Sequence, residues 1–85
     1  MKQKQELIVW KSKNKHIIII QRESFYNDDG MIYCILQEKR YYKFSDKSFF
    51  ELKWRFIRWE DTLSKAIEYC LENLDDVIDI EDTNF

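Results

Sequence analysis

Eighty-five residues fill one hydrophobic core and not two, and an apolar fraction of 45% with 16% aromatics excludes a disordered chain. The absence of proline and the single glycine, Gly30, exclude a Pro- or Gly-rich linker, and no run approaches the ~18 apolar residues of a membrane helix. The formal net charge of −2 hides two poles: residues 1–59 carry 13 of the 14 Lys and Arg against 7 acids, and residues 60–85 carry Lys65 against 9 acids.

Leu7 to Trp10 is a short β-prone run, Lys11 to Lys15 a polar turn, and His16 to Gln21 a second run. The three predict a β-hairpin. The unbroken Ile17-Ile18-Ile19-Ile20 predicts a strand covered on both faces, hence central in its sheet. Tyr26 to Gly30 is the clearest turn, because Asp29-Gly30 supplies the positive φ of a hairpin loop; with one glycine, other such positions fall to Asn or Asp. Met31 to Gln37 is a third strand, with Tyr41, Tyr42 and Phe44 as an extension.

Residues 48–59 carry two signals. Phe50, Leu52, Trp54 and Phe56 alternate with Glu51, Lys53 and Arg55, the strand period of two, whereas Ser48 and Glu51 fit a helix capping box. The alternation is unbroken over seven residues, so the strand is preferred. Leu63, Ala66, Ile67, Cys70, Leu71, Leu74, Val77 and Ile78 then trace the apolar stripe of an amphipathic helix, started by Asp61 or Thr62. Asp79 to Phe85 reads as a frayed acidic tail. The predicted fold is α+β: one domain over residues 1–85, a three- to four-stranded antiparallel sheet (a β-meander) packed by one C-terminal amphipathic helix.

Catalytic chemistry finds little support. His16 is the only histidine, so any nucleophile–histidine arrangement must use it, and its place beside a basic turn suits a solvent-facing or hairpin-packing role. Cys34 and Cys70 each sit in an apolar pattern, which predicts reduced core thiols. A phosphate-cradling loop needs several glycines. Asp75, Asp76, Asp79, Glu81 and Asp82 lack the glycine bend of a calcium loop and read as a solvated helix end. No catalytic residue, metal or cofactor is expected. The charged N-terminus is followed by no apolar stretch of signal length, so a cytoplasmic location with no membrane partner is expected.

The two charge poles are the remaining clue. On the basic side, Lys39, Arg40 and Lys43 interleave with Tyr41, Tyr42 and Phe44, and Lys53, Arg55 and Arg58 with Trp54, Phe56 and Trp59. Cations tracking phosphates beside rings that stack bases is the logic of single-strand nucleic-acid binding. The competing reading, favoured by the alternation over 50–56, is a strand whose aromatics face the core and whose cations face water. On the acidic side, Glu68, Glu72, Asp75, Asp76, Asp79 and Asp82 follow helical spacing and would line one helix face. Several would also oppose the helix dipole at its C-terminal end.

In size, Lys/Asn/Ile-rich flavour and acidic surface, the chain resembles the small orphan proteins of phages and mobile elements. Some of these, several anti-CRISPR proteins among them, are acidic α+β folds that block the DNA-binding groove of a host nuclease. The resemblance rests on general character over the whole length and carries no residue across. It implies a non-catalytic inhibitor whose acidic helix face docks on a basic nucleic-acid-handling protein of the host. The alternatives are a nucleic-acid-binding module on the basic sheet and an antitoxin or immunity-type regulatory subunit. A homodimer is a further possibility where Trp59 or Phe85 is exposed.

Overall fold

A computed structural model describes residues 6–24, 30–42 and 50–81. The elements are β1 (Leu7–Lys11), β2 (Ile17–Glu23), β3 (Met31–Tyr42), β4 (Phe50–Glu60), α1 (Leu63–Asn73) and β5 (Asp79–Glu81). Strands β1 to β4 lie in sequence order as an antiparallel sheet, and one C-terminal helix packs on it. The alternation over 50–56 is thus a strand, longer than the pattern alone marked. The extension of β3 reaches Tyr42; Tyr26 to Asp29, Lys43, Phe44 and Asp82 lie outside the described residues.

The isoleucine run behaves as its apolar continuity demands. Ile17 to Ile20 are at most 6% exposed, because β2 is flanked by β1 and β3 and its alternate side chains enter separate clusters. Ile17, Ile19 and Ile35 pack against Ala66 and Cys70 of the helix. Ile18 and Ile20 join Cys34 on the opposite face. Full burial of each Ile19- or Ile35-sized side chain stabilises the fold by about 1.5–3 kcal/mol.

Two β-bulges set which residues face the helix. In β1, Ile8 pairs with Ile20 and Trp10 with Ile19, so Val9 is the extra residue, and both Val9 and Trp10 pack on the helix-side cluster. In β4, Arg58 pairs with Ile35 and Phe56 with Leu36, leaving Ile57 extra. Ile57 packs under the helix, and the Arg58 guanidinium lies 4.7 Å from the centroid of the Tyr69 ring on α1. A bulge inserts one residue without a partner. Trp59, paired with Cys34, therefore returns to the face that carries Phe56.

The helix is shorter than its apolar stripe. Thr62 caps its start by accepting the Lys65 N–H at 3.2 Å. It ends at Asn73, and Leu74 is extended (φ −119°, ψ 142°) with its N–H on the Cys70 carbonyl. The expected continuation to Ile78 fails for two physical reasons. The last turn has no basic residue and is followed by Asp75 and Asp76, which oppose the dipole. The carbonyls beyond it also find better partners: Gln37 Nε2, buried under this crossing, donates to the Asp75 and Val77 carbonyls at 2.9 and 3.1 Å. Asp79–Glu81 is likewise not frayed; it forms β5, parallel to Lys39–Tyr41 of β3. β2 begins opposite Gln37, so β5 covers the stretch of the same β3 edge that β2 leaves open.

Candidate functional site

The five of the six acids that lie among the described residues, Glu68, Glu72, Asp75, Asp76 and Asp79, do not form one row. Glu68 and Glu72 stand exposed on α1 and, with Glu60, Lys65, Tyr69 and Asn73, line a shallow groove of about 360 Å³. Asp75 lies in the crossing, exposed. Asp76 turns inward and latches the β1–β2 turn. Its carboxylate accepts Ser12 Oγ at 2.6 Å, the His16 N–H at 3.1 Å and the Asn14 N–H, while Ser12 Oγ accepts the Ile17 N–H at 3.0 Å. Burial raises the Asp76 carboxyl, but the Ser12 hydroxyl, the two backbone N–H groups and the charge of His16 outweigh it and hold the group below its ordinary value. The latch also explains why Lys15, rather than an Asn or Asp, takes positive φ (65°) in this turn. Bonds to Asn14 and His16 on either side of it fix the backbone against the Cβ penalty. Asp79 is shared between Lys39 Nζ at 3.8 Å and Arg55 Nη1 at 3.6 Å.

His16 is held too. Its Nδ1 lies 2.9 Å from Glu38 Oε1. Cys34 pairs with Ile20, four residues along β2 from His16, or about 13 Å, so no Cys–His pair forms. Cys34 and Cys70 are free and buried on opposite sides of the sheet. Burial raises both thiols, Cys70 to about 11. Among the described residues no three His, Cys, Asp or Glu gather as a metal set, and no helix is long and apolar enough to cross a membrane.

The alternation in β4 resolves differently from the core-facing expectation. Cross-strand partners share a face, so Phe56 opposite Leu36, Trp54 opposite Glu38 and Leu52 opposite Arg40 belong to the face away from α1. Leu52, Trp54, Phe56 and Trp59 are 45%, 43%, 52% and 48% exposed. The physical reason is position: β4 ends the strand order, and α1 lies across the other face. Lys53, Arg55 and Arg58 take that other face, opposite Lys39, Gln37 and Ile35. Arg58 also pairs with Glu60 at 3.4 Å. Of the basic set, Lys39 is buried and Arg40 half-buried on the ring-bearing face. Among the described side chains, the rings of β4 and most of these cations therefore stand back to back, whereas a stacking platform needs them on one face. Sequence alternation was the signal for this row, but only the helix position says which set is left in water.

Comparison with protein-family models, with curated proteins and with solved structures finds no match.

Proposed function

We propose that this chain is a non-catalytic binding protein that docks a protein partner along β4. The observation that carries this reading is the row Leu52, Trp54, Phe56 and Trp59, each about half exposed on one strand. Scattered single apolar residues at a surface need no explanation, but a contiguous row of this size marks an interaction site. Tryptophan and phenylalanine are the side chains that supply binding energy at protein interfaces.

A second reading keeps the acidic surface. Glu60, Glu68 and Glu72 share one groove, and with Asp75 they offer a smaller negative patch to a basic, nucleic-acid-handling host protein, in the manner of a phage-encoded inhibitor. The two readings separate in one experiment. Capture of host proteins is compared for the wild type, a Trp54→Ser/Phe56→Ser variant and a Glu68→Lys/Glu72→Lys variant. Docking along β4 predicts that the first variant loses a partner that the second retains. The reverse pattern, with capture weakening as salt rises, overturns it in favour of the acidic groove.

A further inference from the structure

We propose that the outer edge of β4 takes an extended peptide strand alternating acidic and apolar side chains. The inference rests on the reading of β4 as the binding face and specifies what that face recognises. β4 is 11 residues long, and among the described residues it pairs only with β3. The backbone N–H and C=O groups of such an edge template a further strand. Its two faces differ in chemistry. One presents Leu52, Trp54, Phe56 and Trp59. The other presents Lys53, Arg55 and Arg58, the two arginine side chains each 50% exposed. Over residues 52–56, ahead of the bulge at Ile57, a strand laid beside β4 continues both faces at a spacing of about 5 Å, so its alternate residues meet rings on one side and cations on the other. The complementary sequence is apolar, acidic, apolar, acidic.

The fold already contains one strand of this kind. β5, Asp79-Ile80-Glu81, adds to the edge of β3, and Asp79 reaches across to Lys39 and Arg55. Charge also disfavours a second copy of this chain as the occupant. Pairing β4 with its own copy brings two rows of Lys53, Arg55 and Arg58 together, and like charges opposite one another destabilise a strand pair.

The test uses the full chain and an end-blocked, labelled octapeptide alternating glutamate and valine, followed by fluorescence anisotropy. Binding at least about tenfold tighter than that of the matching lysine–valine peptide is expected, weakening about fivefold on Arg55→Glu and further on Trp54→Ser. Methylating one alternate set of peptide amides should abolish binding, and methylating the other set should leave it, since a single strand edge uses only alternate amides. Equal binding of the acidic and basic peptides, or tolerance of both methylated forms, overturns the inference. Because the methylation contrast alters only the peptide, misfolding of a protein variant cannot produce it. If partner capture depends on Trp54 and Phe56 while the peptides show no preference, the binding face stands and strand addition falls. If capture ignores both residues, the binding face falls as well.

Discussion

Asp76 is the residue whose role departs furthest from its place in the sequence. Helical spacing set it among surface acids, yet its carboxylate joins Ser12, Asn14 and His16, 60 to 64 residues away. Nothing local in the chain announces such a bond, because the partners meet only when the first hairpin and the crossing after α1 fold together. Replacing Asp76 by Asn removes the charge and one acceptor. The expected cost is about 1–2 kcal/mol for hydrogen bonds to a charged group near solvent, measured by urea unfolding with an unchanged slope. The pH dependence has a definite sign. A carboxyl whose folded value lies below its ordinary value contributes stability that is fully present above that ordinary value, near 4, and is lost as pH falls through the folded one. The gap between wild type and Asp76→Asn should be present at pH 5 and close below pH 4. A gap that persists in acid would show that the latch does not depend on ionised Asp76.

Strand β4 and helix α1 carry the lesson at the level of elements. The strand was legible because seven residues alternate without a break, and the helix because its stripe repeats at 3.6. What neither pattern contained was a stop and a phase. The stripe runs on through Val77 and Ile78, but Leu74 is extended because Gln37 binds the carbonyls after it. The phase of β4 depends on the bulge at Ile57, which makes one deletion unlike its neighbours. Removing a residue from a regular strand sends everything beyond it to the opposite face. Removing Ile57 takes out the extra residue and leaves Phe56, Arg58 and Trp59 on their present faces. The expected result is a folded protein weakened by about 1–3 kcal/mol, the share of the Ile57 contact under the helix, whereas removing Arg55 should prevent a cooperative transition. Circular dichroism during urea unfolding separates these outcomes; equal damage from the two deletions would contradict the bulge.

For the whole molecule, the sheet divides two apolar clusters, and each contains one thiol: Cys70 on the buried face of α1 and Cys34 on the other side of the sheet. With Cys70 raised to about 11, about one thiol in a thousand is ionised at pH 8, and Cys34 is raised in the same direction by burial. Neither should react with a thiol-specific disulfide reagent in the native state at that pH, and both should react once the chain is unfolded in denaturant. Rapid native labelling at Cys34 alone would mean that its face opens independently of the helix side. The same division explains the charge poles that dominate the sequence. Part of the negative pole folds back on the positive one, through Asp76 at the first turn and Asp79 at Lys39 and Arg55. The acids that remain outermost are fewer than the linear row suggested.

The sequence alone determined the antiparallel meander, the central isoleucine strand, the reduced thiols and the single C-terminal helix. Each follows from periodicity or composition within a short window, where side-chain burial dictates local structure. Only the tertiary structure decided where the helix stops, which acids are used internally, and that the rings of β4 face away from the helix. Those outcomes depend on which distant groups satisfy a carbonyl, a carboxylate or a strand edge. Residues far apart in the chain make such bonds only after the sheet has brought them together.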